Sequence, residues 1–444
     1  MTNGRLTRKQ YVLMSCAVFS MHFGASCLLY PMTWGRQSGS AVLPAFAGVF
    51  LTAILLPLLG YLALARSNLS FLQMARRGPR RLGLAFCCIA VLVNGPIYVI
   101  PRMSAAAWQA VVQFLGSCAD KRIVSLSFHG IYYAAVCWFL SSRAKTMERL
   151  GKILSPLLIT IVAAVIIKGC LAPVSVEAAP KTYSEPAFVY GLLQGYATGD
   201  LLCSLMFGAV IINGFHTPKA HAVQLQKQVL LVGASGLGIL MLAHLGHMLV
   251  GARHTGGSEL TFAALYMQVV VELFGKTGGL LFLIGLIAAA LSAAVGIGAA
   301  SVEFFAAQWS ERVSYRWMVR ILCVVSFAIS CVGLEKIIAV MGPVLSACYP
   351  VAIVLVAYFA FVPRIEDPRF ARGLRAATIC AAVFSVLNVL SVYNQTFGLQ
   401  WTTYETVFLA LPLGKYELSW LPASAFAFLA GVLSKKDKTV SDTK

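Results

Sequence analysis

Charge is scarce in this chain. Only 11% of its 444 residues are Asp, Glu, Lys or Arg and just 16 are acidic, less than half the charged share of an ordinary soluble domain. No Pro/Gly/Ser-rich stretch marks a linker or an extramembrane domain. The twelve cysteines form no CxxC pair, and no histidine cluster has metal-ligand spacing, which removes a disulfide scaffold and a zinc module. HExxH, GxSxG and paired carboxylates on adjacent apolar segments are missing, as are a repeated filter and a charged ring, so neither a membrane enzyme nor a channel is indicated. What remains is apolar sequence, 59% hydrophobic with a mean hydropathy of +0.80. That is an all-α integral membrane protein.

Apolar windows of about 20 residues place about twelve transmembrane helices, at 10–33, 42–65, 82–112, 126–141, 150–171, 188–213, 228–250, 278–306, 317–334, 337–362, 374–392 and 418–434. The first follows Arg5, Arg8 and Lys9, yet it is too long for a signal peptide and lacks a small-residue cleavage pattern, so it is read as a retained span. Of 35 Lys and Arg, 25 fall on one set of alternate connections and nine on the other, Arg102 lying inside a span. This one-sided distribution is the positive-inside rule. It places both termini in the cytoplasm and accounts for the net charge of +19 without nucleic acid. Most of the cysteines lie in apolar stretches and read as small packing residues. Within the long connection 251–277, TFAALYMQVVVELFG is amphipathic enough for a helix on the surface; a partly buried loop helix fits as well.

Two spans are interrupted, at FGASCLLYP (23–31) and at GLLQGYATGD (191–200). Backbone groups released inside lipid are costly unless they line a cavity or bind a ligand. In the first, Gly24, Ala25 and Ser26 are small and Pro31 lacks a donor, so the helix is expected to unwind near 24–27 and restart toward Pro31. In the second, Gly191, Gly195 and Gly199 recur every four residues, which alone describes a packing face. Tyr196, Thr198 and Asp200 are interleaved with them, and an intramembrane carboxylate marks a functional site. Half-helix ends can hold a substrate carboxylate, and freed carbonyls with Asp200 can face an ammonium group or a cation.

The same residues carry a resemblance. FGASCLLYPMTWGRQSG at 23–39, GPIYVIPR at 95–102, GYATGDLLCSLMFGAVIIN at 195–213, ALSAAVGIGAASVEFFA at 290–306 and GPVLSACYPVAI at 342–353 follow one another as do the motifs of the branched-chain amino acid:cation symporter family, the BrnQ-type carriers. The match spans essentially the whole chain. It implies a leucine-transporter-like fold: a first five-helix repeat over 10–171, a second, inverted one over 188–362, discontinuous first and sixth helices, and two further helices over 374–434. It also implies a secondary active transporter of a bacterial inner membrane, not an enzyme. Leucine, isoleucine and valine would be imported by cation symport through alternating access, with the amino acid and the bilayer as partners, no cofactor and no obligate protein partner. The rival reading is a carrier of another small neutral amino acid, coupled to H+ or Na+, on the same fold.

On this resemblance, Gly24, Ala25, Ser26, Cys27, Gly195, Tyr196, Thr198 and Asp200 hold the substrate. The chain departs from the family at two points. Ser26 and Cys27 replace a Gly-Asn pair, and a soft sulfur suits Na+ poorly where an amide oxygen suits it well. Ser292 and Ala293 replace paired threonines, which leaves Ser292 with the carbonyls of Ser20, Phe23 and Ala289 as the cation set. Na+ is the expected coupling ion. H+ is its competitor, with Asp200 as the carrier. Arg102 is assigned to the pathway, paired with Asp200 or facing water, against an arginine snorkelling to the interface. Glu303 closes an inner gate or pairs with Arg312. His244 and His247, one turn apart, read as interfacial anchors rather than a metal pair.

Overall fold

The computed structural model describes residues 6–115, 122–142, 145–172, 183–214, 222–254, 260–309 and 313–434. The described residues are helical, and no strand occurs among them. Twenty α-helices follow one another: α1 Arg8–His22, α2 Ala25–Ser38, α3 Val42–Val49, α4 Leu56–Ser67, α5 Phe71–Arg77, α6 Arg80–Leu92, α7 Val99–Leu115, α8 Arg122–Leu140, α9 Thr146–Arg149 and α10 Ser155–Leu171; then α11 Ala187–Tyr196, α12 Asp200–Gly214, α13 Ala222–Ala252, α14 Phe262–Phe274, α15 Lys276–Trp309, α16 Tyr315–Ser330, α17 Leu334–Phe361, α18 Pro368–Phe397, α19 Thr402–Ala410 and α20 Trp420–Leu433. By length and composition eight helical stretches can cross a membrane, or nine with the bent pair α11 and α12 taken as one span. A count of twelve takes these nine and adds the shorter α16 and α20 and the division of one long run, whose first limb continues α1 in a single span.

That run, Ala25–Ser67, has 43 residues. Straight, it would reach about 65 Å, twice the hydrocarbon thickness. It folds back instead. Trp34 clusters with Val42, Ala45 and Val49, whereas His22, at the far end of the preceding helix, reaches Tyr61. The two limbs are therefore antiparallel, and the reversal falls at Gly39, whose φ of 50° is open to glycine at little cost.

Packing density fixes the neighbours of the broken helices. Gly191 and Gly195 lie so close to Ala45, Val49 and Thr52 that a Cβ at either would enter their van der Waals shells. Gly35 and Gly251 do the same between α2 and α13. Small residues thus bring backbones together where lipid gives no hydrophobic drive for helices to associate. The result is a large buried core in which Tyr61, Tyr266 and Tyr349 are fully buried, with a smaller cluster around Trp34 beside the α2–α3 reversal.

The third span, not among the two read as interrupted in the sequence, is also broken. Between α6 and α7 lies a π-turn over Val93–Ile97, with Gly95 at φ −102°, ψ −118° and Pro96 removing a donor. It is a third interruption. The helix foreseen in the 251–277 connection is α14, and its Ala263, Leu265, Tyr266, Val269 and Val270 are buried, so it is a partly buried helix rather than one resting on the surface.

Candidate functional site

The first break is short. Phe23 (φ −81°, ψ 82°) ends α1 and Gly24, extended at φ −91°, ψ −177°, caps α2. Helical bonding resumes at once, since the Leu28 N–H donates to the Gly24 carbonyl at 3.2 Å. The unwound stretch is thus Phe23–Gly24 and not 24–27. Pro31 sits inside α2, and Ala25, Ser26 and Cys27 form its first turn, where backbone N–H groups lack i−4 partners. The Gly24 N–H turns back to the His22 carbonyl at 3.0 Å, leaving the Ser20 carbonyl without its usual i+4 donor.

The second break is Ala197–Gly199, with Gly199 at φ 90° and the two halves bent by 40°. Thr198 donates from its hydroxyl to the Gly195 carbonyl at 2.9 Å and closes the end of α11. Gly195 serves α11–α3 packing and accepts the cap bond. Tyr196 packs against Tyr349 in a tilted pair, ring centroids 4.7 Å apart at 52°. Asp200 starts α12, buried at 3% exposure.

The two breaks meet through a residue the sequence reading passed over. His22 Nδ1 stands 3.0 Å from Asp200 Oδ1, and His22 Nε2 is 3.0 Å from the Tyr61 hydroxyl. With Asp200 ionised, one neutral tautomer satisfies both contacts: Nδ1–H donates to the carboxylate and Nε2 accepts from the phenol. Asp200 Oδ2 is buried without a partner. Cys27 donates its thiol hydrogen to the His22 carbonyl at 3.3 Å. One signal was legible: His22 is the lone histidine, in an apolar run without Asp, Glu, Lys or Arg that ends at a break.

Other named residues fall into place around this centre. Ser292 hydrogen-bonds both the Ser20 hydroxyl and the freed Ser20 carbonyl, 272 positions away in sequence. Ala289 and Phe23 are buried beside them. Arg102 is 6% exposed, so it does not snorkel; Nη1 donates to the Tyr98 hydroxyl at 3.0 Å and the guanidinium lies 4.8 Å over that ring. Among the described residues no carboxylate stands within ion-pair distance of it, so the pairing with Asp200 is not made. Asn94, from the third interruption and also unforeseen, points Nδ2 at the sulfurs of Cys203 and Met206, each at 3.4 Å.

Glu303 is buried and lines a cavity of about 650 Å³ between α4, α5, α12 and α15, on the side carrying Arg76. Its proposed partner Arg312 lies outside the described residues. Met206 also lines that cavity, so its inner end stops one side chain short of Asn94 and Cys203. His244 and His247 are fully buried rather than interfacial. His247 bonds the Ala243 carbonyl at 2.7 Å and the Tyr266 hydroxyl at 2.9 Å, and His244 bonds the Leu240 carbonyl at 2.9 Å. Helix α13 turns both rings toward α1 and α2, against Phe23 and Trp34. No cluster of three or more His, Cys, Asp or Glu suited to a metal occurs among the described residues.

Paired helix breaks, an intramembrane carboxylate and a cavity along α12, the helix that Asp200 starts, describe a carrier, and known proteins agree. Over 99% of its length the chain superposes on a Na+-coupled sialic acid symporter in a substrate-bound outward-open state, covering 92% of that chain at a TM-score of 0.64 and 13% identity. At that identity the likeness establishes the fold, which is the leucine-transporter fold. The branched-chain amino acid permease BrnQ of Corynebacterium glutamicum is 31% identical over 364 residues, 79% of this chain and 80% of that protein. The permease BraB of Bacillus subtilis is 29% identical over 441 residues, 96% of each. The model of the branched-chain amino acid transport protein family matches residues 7–438. The chain belongs to that family of multi-pass membrane transporters.

Proposed function

We propose that this protein imports leucine, isoleucine and valine across a bacterial inner membrane by Na+ symport through alternating access, with both termini cytoplasmic. Repeats over 10–171 and 188–362 would move against each other, with 374–434 appended. The observation that carries the reading is the convergence at the first break: a released Ser20 carbonyl, the Ser20 hydroxyl and the Ser292 hydroxyl lie together, hard oxygen donors of the kind a hard cation prefers. Na+ is then a co-substrate, held by Ser20 and Ser292 with the carbonyls of Phe23 and Ala289. The apolar side chain of the amino acid would face Met103, Ala293 and Leu345, which crowd Gly24 and Gly199.

A second coupling reading has its own observation. The Tyr61–His22–Asp200 chain is a buried line of exchangeable protons and favours H+ in place of Na+. Uptake of labelled leucine, isoleucine and valine into proteoliposomes, with Na+ and pH gradients imposed separately, decides. Na+-driven accumulation is expected. Accumulation driven by the pH gradient alone selects the proton reading, and failure of all three amino acids under both gradients refutes the proposal.

A further inference from the structure

We infer that Arg102 and Asp200 are the two ends of a slot for a zwitterion: Arg102 receives the α-carboxylate of the substrate, and Asp200 with Asn94 receives its α-ammonium. This rests on the amino-acid transport reading above. Three groups on three elements are buried and incompletely bonded. Arg102, from α7, has a neutral phenol on Nη1 and nothing on Nε. Asp200, from α12, has His22 on Oδ1 and nothing on Oδ2. Asn94, from the π-turn, has sulfur contacts on Nδ2 and nothing on Oδ1, an oxygen that stands 3.8 Å from where a Cβ of Gly199 would project.

An arginine remains charged at any accessible pH, and a buried charge without a counter-ion is expensive. Here the opposite charge is not in contact. Cys27, bonded to the His22 carbonyl, and Cys203, bonded to Asn94, join the surroundings of Asp200 to those of Asn94. A dipolar ligand resolves this arrangement in a way no single ion does, because its carboxylate completes the guanidinium while its ammonium meets Asp200 Oδ2 and Asn94 Oδ1. An amine lacking the carboxylate leaves Arg102 unmatched. An acid lacking the amine leaves Asp200 unmatched. Recognition by a side-chain cation from α7 also explains how the site works without the asparagine amide that Cys27 replaces: both ends of the amino acid are held by protein charges.

Competition against labelled leucine, on purified full-length protein in liposomes, tests the assignment with leucinamide, which lacks the carboxylate charge, and 4-methylpentanoate, which lacks the amine. The unmodified protein should prefer leucine to each by at least a hundredfold. Arg102→Gln should weaken leucine at least tenfold and leave leucinamide within threefold, so that discrimination against the amide collapses while discrimination against 4-methylpentanoate persists. Asp200→Asn should do the reverse. If Arg102→Gln weakens leucine and leucinamide equally, or changes neither, the assignment is wrong. Should Arg102→Gln not fold, Arg102→Lys replaces it: the charge is kept, so preference for leucine over the amide must survive at reduced affinity, and its loss overturns the inference. Should the unmodified protein bind none of the three branched-chain amino acids, the substrate reading fails. The Arg102 assignment is then read in the same way on whichever α-amino acid raises the thermal midpoint, against its amide.

Discussion

His22→Ala is the substitution with the largest consequence for its size. It removes a hydrogen bond to a carboxylate and one to a phenol, contacts at 3.0 Å each in a site closed to water. Bonds to charged groups contribute about 1.5–3 kcal/mol and neutral ones about 0.5–1.5, so the loss is about 2–4.5 kcal/mol. Asp200 already has one oxygen without a partner, and the substitution leaves both bare. Because the carboxylate sits at the break, that energy should appear as lost transport, about thirtyfold to two-thousandfold in initial rate. The assay is leucine uptake at matched protein insertion, with the thermal midpoint measured in parallel. His22→Asn is the internal control, since its amide keeps a donor toward Asp200 and gives up Tyr61. Activity should recover to within the smaller, neutral-bond loss, and Tyr61→Phe should then add little to His22→Asn while costing a few-fold alone. Uptake by His22→Ala within twofold of the unmodified protein, or additive effects in the His22–Tyr61 pair, would refute the role assigned to this chain of contacts.

Ser292→Ala removes one hydroxyl from the cation set and strips the Ser20 carbonyl of its donor. The Na+ concentration for half-maximal uptake should rise about tenfold or more, equivalent to about 1.4 kcal/mol, with the leucine dependence at saturating Na+ little changed; an unchanged Na+ dependence counts against the site. Gly191→Ala and Gly238→Ala form a matched pair. A Cβ at 191 collides with the Ala45 carbonyl, whereas one at 238 meets nothing within 4 Å. The first should lose folded protein in a detergent thermal-shift assay, and the second should be neutral or up to about 1 kcal/mol more stable from helix propensity alone. Outside the membrane, Asp367 caps α18 through the Arg369 backbone N–H at 2.9 Å, and hydrogen bonds from Arg369 hold its carboxyl below the usual range. A depressed carboxylate pKa contributes stability above its unfolded value and loses it as pH falls through the folded one. Asp367→Asn should therefore flatten a small drop of thermal midpoint below about pH 4, and an identical acid limb in both proteins removes that contribution.

Much of the site was readable because the breaks are local. Gly24 beside small Ala25 and Ser26, and Gly199 beside Thr198, release backbone bonds whatever lies nearby, and Asp200 announces itself by its cost in an apolar span. The packing explanation of the glycine series and the break explanation were both right, for different members: Gly191 and Gly195 pack, and Gly199 breaks. Asn94 was missed although the Asn-Gly-Pro sequence there is itself a breaker signal. Tyr61 offered none, being one aromatic in an apolar helix. His244 and His247 were misplaced because position along a span gives depth but not direction, and α13 turns both rings inward.

Composition and period alone determined that this chain lives in a membrane and where two helices must open, since hydrocarbon penalises every unsatisfied backbone group regardless of the fold. Which groups meet across those openings was decided only by tertiary structure. The His22–Asp200 contact joins positions 178 residues apart and Ser20–Ser292 joins positions 272 apart, and such partners are selected by how α1, α12 and α15 pack, a choice set by volume and close approach that no local pattern encodes.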